Sequence, residues 1–167
     1  MVVARLLSRD PDMNFQPIHY DQLLIVVGAR SKWARQPRVS LADLAEEPWV
    51  QAPPEMEPGS PTLEAFRAVG LPGPRVVVMS GSLNLRYALL ATGRFVTMIP
   101  DPALYYGPRR ALVRILPIKL PRWHVPTSVI TLMGRTLSPL AQLFIDCVHE
   151  LSKPLARTTS ARTKAGA

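Results

Sequence analysis

Apolar positions fall into short runs separated by polar, proline-bearing stretches, and the period of the runs changes along the chain. Val2–Leu6 is β-branched and apolar and predicts a strand, whereas Ser8–Pro17 is polar with two prolines and predicts a loop. Leu23–Val27 is apolar without interruption and stops at Gly28, as a strand buried on both faces would. Ala29–Arg38 is polar and basic and predicts a loop. Ser40 offers a cap hydroxyl and Asp43 an acid three residues on, so a short helix is expected over Leu41–Glu46, ended by Pro48. Trp49-Val50 then opens a strand, and Pro53–Gly59 is a proline-rich acidic loop. Ser60-Pro61 starts a helix with Leu63, Phe66 and Val69 on one face and Gly70 as its left-handed stop. Arg75–Met79 is the next strand. Ser82 caps a helix over Leu83–Thr92 that Gly93 ends, and Phe95–Ile99 is a strand closed by Pro100. Leu112–Ile118 and Thr127–Met133 read as further strands. The last helix begins at Ser138-Pro139, repeats apolar residues at Leu140, Leu143, Phe144, Cys147, Val148 and Leu151, and ends at Lys153-Pro154.

Short strands alternating with helices predict an α/β fold with mostly parallel sheets. In such sheets ligands bind beyond the carboxyl ends of the strands, often at helix N-termini. Trp49, Phe66, Phe144 and Cys147 are expected in the core. The chain has 167 residues, 47% of them hydrophobic, which suits one sizeable core or two small lobes.

A net charge of +8 raises the question of nucleic acid. Lys153, Arg157, Arg162 and Lys164 supply half of that excess in a tail with no acid after Glu150, and the other arginines are dispersed, so a solvated basic surface is the plainer reading. A small nucleic-acid-binding protein would need aromatic and basic residues interleaved, or a recognisable helix-turn-helix, and neither is seen. One cysteine excludes an internal disulfide. Met1–Arg5 is too short and too soon charged to read as a signal peptide, and no apolar run has the length of a membrane span, so a cytoplasmic protein is expected. Gly81-Ser82 lacks the second glycine of a nucleophile elbow, and His19, His124 and His149 have no metal-like spacing. Glu55 and Glu57 read as solvated. No enzyme, cofactor or metal is expected.

Three segments, in order, resemble the regulatory domain of LysR-type bacterial transcriptional regulators. They are Val39–Val50; Leu85–Pro100, with Leu89-Leu-Ala-Thr-Gly93 and Val96-Thr-Met-Ile-Pro100; and Gly134–Gln142 followed by Phe144-Ile-Asp146. The resemblance covers residue 2 to about 151. It departs at Ser31-Lys32-Trp33, where the family often carries His-Pro. It implies a periplasmic-binding-protein-like (type 2) two-lobed fold, with a small molecule held between the lobes. Residues 1–16 and 122–152 would form an incomplete first lobe, 17–121 the second lobe, and 153–167 a disordered basic tail. It also implies that the winged helix-turn-helix, the linker helix and the opening units of the first lobe lie outside this chain.

The expected function is ligand sensing: a small effector, expected to be an organic acid, controls transcription through that DNA-binding domain in a full-length homo-oligomer, with no membrane contact. Alternatives are a stand-alone solute-binding protein and a non-functional truncated remnant. Met79–Asn84 joins a strand end to a helix start, so helix N–H groups and the hydroxyls of Ser80 and Ser82 suit a carboxylate or phosphate, with Gly81 allowing close backbone approach. The plainer role of Ser82 is a helix cap. The resemblance places this loop at the effector cleft, and it matches Arg5 to an arginine that points into the cleft in some members. Pro100 and Met98 would line the pocket wall.

Overall fold

The computed structural model describes residues 1–5, 10–105, 107, 109–118, 120 and 125–165, with the side chains of Arg5, Val125 and residues 154–165 outside the description. Its elements in chain order are β1 Val2–Arg5, β2 Met13–Asp21, β3 Leu23–Gly28, α1 Leu41–Leu44, β4 Trp49–Gln51, α2 Pro61–Arg67, β5 Val76–Met79, α3 Leu83–Ala91, β6 Val96–Pro100, α4 Asp101–Tyr105, β7 Val113–Ile115, β8 Val125–Leu132 and α5 Pro139–Ala165. Short 3₁₀ turns sit at Lys32–Arg35, Pro53–Met56 and Arg110–Leu112. The chain divides into two units, Met1–Gln22 with His124–Ala167, and Leu23–Trp123.

In the first unit, β8 lies between β1 and β2 and is antiparallel to both, with Val3 opposite Val129 and Phe15 opposite Ile130. Part of the stretch expected as a loop is therefore strand, because β2 starts at Met13. Pro17 hid it. The ladder slips between Pro17 and His19, and an irregularity on an outer strand is where a sheet tolerates a residue that cannot donate a backbone hydrogen bond.

Helix α5 packs on β2 and buries Ile145 and Ser152, with Val148 half-buried between them. Its wider apolar stripe is on the surface: Leu140 is 75% and Leu151 77% exposed, and Leu143, Phe144 and Cys147 are exposed too. Phe144 and Cys147 are thus not core residues. Helical period reveals that a face is apolar, not which face meets a partner. The backbone also stays helical past the expected stop at Pro154, to Ala165. Proline costs about 3 kcal/mol inside a helix, but Leu155, Ala156, Arg157, Ala161, Arg162 and Lys164 after it are good helix formers.

In the second unit the sheet order is β5-β4-β6-β3-β7. β4 runs parallel to β5 and β6, whereas β3 is antiparallel to β6 and β7. The sheet is mixed: the parallel pairing expected for most of it is found in its β5-β4-β6 half, and β3 pairs antiparallel on both sides. β3 is buried on both faces, as its unbroken apolar run predicts. Ile25 and Val27 join Leu41, Leu44, Trp49, Phe66 and Met98 in one cluster, and Val26 joins Tyr87, Leu90, Ile99, Leu104 and Val113 in another. Trp49 meets Phe66 edge to face at 5.4 Å and donates its indole N–H to the Leu44 carbonyl at 2.7 Å. Each such fully buried side chain contributes about 1.5–3 kcal/mol. The Ser40–Asp43 capping box holds α1, which is two residues shorter than expected.

Helix α3 starts at its Ser82 cap and turns off at Gly93, whose φ of 81° an L side chain rarely adopts. It lies so close to β3 that a Cβ on Gly28 would stand 1.7 Å from the Leu90 carbonyl oxygen. The Arg30 guanidinium donates to the Ala91 carbonyl at 2.5 Å, a cation at the negative end of the helix. These contacts fix the C-terminal half of α3 against β3.

Candidate functional site

Because β4, β5 and β6 run parallel, their carboxyl ends share one edge of the sheet in the second unit. Gln51 ends β4, Met79 ends β5 and Pro100 ends β6. The Ser80 amide extends the ladder by donating to the Gln51 carbonyl at 2.7 Å, and the chain then turns through Gly81 into α3. The Ser82 hydroxyl accepts from the Leu85 amide at 3.4 Å, and the Ser80 hydroxyl accepts from the Ser82 amide at 3.1 Å. Gly81 to Asn84 are exposed. Amides at the start of a helix have no carbonyl partner within it, so this loop offers oriented donors and the positive end of the α3 dipole to solvent.

Ser80, Gly81 and Ser82 are therefore together, and Ser82 does cap the helix. Pro100 lies at the carboxyl edge of the same sheet, buried and paired in the ladder with Leu23 of β3. Met98 is a core residue on β6. Arg5 belongs to the first unit, where its backbone pairs with Thr127; its side chain lies outside the described residues.

Two arrangements escape sequence reasoning. Glu55 was expected to be solvated, yet it holds a buried arginine. Arg86, 2% exposed, sets both terminal nitrogens against the Glu55 carboxylate, at 3.1 Å and 2.9 Å. Arg86 Nε donates to the Ser80 carbonyl at 3.0 Å and Nη1 to the Met98 carbonyl at 3.2 Å. Glu55 Oε2 also accepts from the Ala52 amide at 2.9 Å. Thr97, fully buried, donates to the Val50 carbonyl at 2.5 Å. The one available signal was an arginine at a position of α3 that places it on the sheet side with Tyr87 and Leu90.

In the first unit, His19 lies 3.4 Å from Asp21, both buried, and Asp21 accepts from the Thr127 hydroxyl at 2.7 Å. Residues two apart share a face only in a strand, and with no strand expected between Leu6 and Leu23 the carboxylate neighbour of this histidine went unseen. Among the described residues no helix is long and apolar enough to cross a membrane.

Comparison with known proteins bears on most of the chain. The family model for the LysR substrate binding domain matches residues 1–153. The HTH-type transcriptional regulator TfdS of Cupriavidus pinatubonensis is 30% identical over 148 residues, which are 86% of this chain and 48% of that protein. The chain thus spans about half the length of the curated relatives it matches. Among solved structures, the Synechocystis PCC6803 CcmR regulatory domain in complex with 2-PG has a TM-score of 0.70 at 22% identity, covering 90% of this chain and 72% of that one. The effector-binding domain of QuiR in complex with shikimate has a TM-score of 0.68 at 18% identity, covering 90% and 70%. These likenesses give the fold: α/β, of the periplasmic-binding-protein-like type 2 class.

Proposed function

The chain belongs to the LysR substrate-binding domain family, and from that premise we propose that it is the ligand-sensing part of a transcriptional regulator, taking a small organic anion at the Ser80–Ser82 loop. The observation that carries the ligand class is the junction of β5 and α3. Exposed helix amides and two hydroxyls stand there at the carboxyl ends of the parallel strands β5, β4 and β6, where α/β proteins hold their ligands. Related domains solved with 2-PG and with shikimate support a small-molecule ligand. Pro100 forms part of the wall, and Arg5, which the resemblance matches to a cleft arginine, is the cation proposed for the ligand.

Binding shifts the balance between two arrangements of the domain, and the shift reaches DNA through a helix-turn-helix domain outside these 167 residues, in a cytoplasmic homo-oligomer. The relatives named as HTH-type regulators support that route. The chain does sensing and not catalysis. No nucleophile–base pair is found at the Ser80–Ser82 loop among the described residues, where Ser80 and Ser82 bond to backbone amides.

Calorimetry against a panel of organic acids and matched neutral analogues tests this. Acids are expected to bind and their amides or esters not to. Each charge-assisted hydrogen bond contributes about 1.5–3 kcal/mol, so Arg5→Ala is expected to weaken binding roughly tenfold or more. Phe144→Tyr, on the surface of the first unit, leaves affinity unchanged. Binding of neutral ligands with no acid bound, or an Arg5→Ala affinity equal to the parent's, overturns the proposed ligand class or the role of Arg5.

A further inference from the structure

We infer that Arg86, held by Glu55, is the positioning residue of the effector loop; the inference rests on the Ser80–Ser82 loop being the anion site. A single guanidinium ties together the ends of two parallel strands and the loop after the third. It grips the Ser80 carbonyl at the end of β5, the Met98 carbonyl near the end of β6, and the Glu55 carboxylate in the Pro53–Met56 turn that follows β4. Glu55 is itself anchored by the Ala52 amide. With the Ser80 carbonyl drawn into this buried network, Gly81 to Asn84 remain on the surface as the donor-bearing turn. Donors held in place before the ligand arrives need no ordering on binding, which is where preorganisation raises affinity.

Stability alone explains this arrangement poorly. Arg86 sits near the N-terminus of α3, the end of a helix that disfavours cations. A buried guanidinium paired with a partly exposed carboxylate is worth little more than well-packed apolar residues of the same volume, because the guanidinium loses its water. What an apolar pair cannot do is bond two strand-end carbonyls at fixed angles. The planar fork of arginine does so, and lysine, a single ammonium, does not. Arg86 acts through the loop and touches no ligand itself.

The experiment uses three variants of the full chain. Arg86→Lys keeps the charge and removes the fork. Glu55→Gln keeps a hydrogen-bonding partner and removes the charge. The double variant Arg86→Met with Glu55→Gln removes both charges, so that no unpaired ion is buried and folding is retained if either single change unfolds the unit. Three quantities are read: the melting temperature, amide hydrogen exchange across the chain, and the shifts of the Gly81 and Ser82 amides on titration with inorganic phosphate and with the acids of the binding panel.

In the parent, these amides shift and saturate. In the double variant the melting temperature stays near the parent's, exchange quickens locally at residues 80–85, and affinity falls about tenfold. A fold staple with no positioning role gives the opposite pattern, in which affinity is kept wherever the melting temperature is kept; that result overturns the inference and leaves the anion site standing. If the parent's Gly81 and Ser82 amides respond to neither phosphate nor any acid, the anion site falls and the inference with it.

Discussion

Substituting Ser82 separates two roles that one hydroxyl performs, capping α3 and meeting an anion. Its Oγ accepts from the Leu85 amide at 3.4 Å, at the long end for a hydrogen bond, so the cap belongs in the lower half of the usual range. Ser82→Ala is then expected to cost about 0.5–1 kcal/mol, and Ser82→Gly only a few tenths, since glycine is a tolerable cap. For a unit of roughly 100 residues these correspond to a fall in melting temperature of about 2–8 °C and under about 2 °C respectively. Affinity does not follow that order: both variants lack the hydroxyl, so both lose the same ligand hydrogen bond, roughly tenfold. Ser82→Asp makes the separation sharper. Aspartate caps as well as serine and its charge suits the helix N-terminus, so stability is retained or rises. The same charge, set about 4 Å from a bound carboxylate, opposes it by about 1–4 kcal/mol depending on screening, which is at least a fivefold loss for acids. Neutral molecules are unaffected. Differential scanning calorimetry gives the stability series and isothermal titration the affinity series. An aspartate variant that binds acids as tightly as the parent, with its cap intact, removes Ser82 from the site; a Gly variant with parental affinity leaves the hydroxyl as a cap alone.

Two further outcomes follow from other parts of the molecule. The Ser40 amide and hydroxyl donate to the Asp43 carboxylate at 2.8 Å and 2.7 Å, and these bonds, the backbone one foremost, hold its pKa below the ordinary aspartate value. A depressed carboxylate stabilises the fold above the unfolded-state value, about 3.9, and that contribution is lost as pH falls through the lower folded value. Asp43→Asn is therefore expected to flatten the acid limb of a melting-temperature profile below about pH 4, and an unchanged limb counts against the capping box as its source. In the first unit, the exposed stripe of Leu140, Leu143, Phe144 and Leu151 predicts concentration-dependent association, which Leu143→Glu with Phe144→Asp reduces. A parent chain that sediments as a monomer at every concentration refutes this.

The second unit was the more legible half, and the reason lies in its punctuation. Ser40, Ser60 and Ser82 are N-caps in the structure, Gly70 and Gly93 sit at positive φ just past their helices, and Leu23–Val27 is the doubly buried strand that its composition implies. These signals act within four or five residues and need no knowledge of the rest of the fold. The candidate loop at Ser80–Ser82 was legible for the same reason, since a strand end and a helix cap are both local. What failed was non-local. β2 carries Pro17 and polar residues because it is an outer strand with a slipped register, so its alternation is broken where a central strand's would not be. Pro154 stops a helix by local rules and does not stop this one.

The Arg86–Glu55 pair shows the same limit at the site itself. The two residues are 31 apart in the chain, and each has an unremarkable local reading, one as a polar helix residue and the other as an acid in a proline-rich loop. Their meeting depends on β4 and β6 being neighbours in the sheet, because only then do the turn after β4 and the inner face of α3 converge on the carboxyl edge. A pattern search along the chain has no term for that distance. The signal that remains is energetic: an arginine on the sheet-facing side of a helix whose neighbours Tyr87 and Leu90 are buried must find a carboxylate and several carbonyls or be excluded from the core. In the second unit, Glu55 is the acid that closes the Pro53–Met56 turn by accepting from the Ala52 amide, so its carboxylate is oriented by its own turn as well as by α3. The loop that offers donors to an anion is thus fixed at one end by a local cap, Ser82, and at the other by a long-range ion pair. Removing the cap loosens the helix start; removing the ion pair releases the strand end. The first change is expected to quicken exchange from Leu83 onward, the second from Ser80 onward.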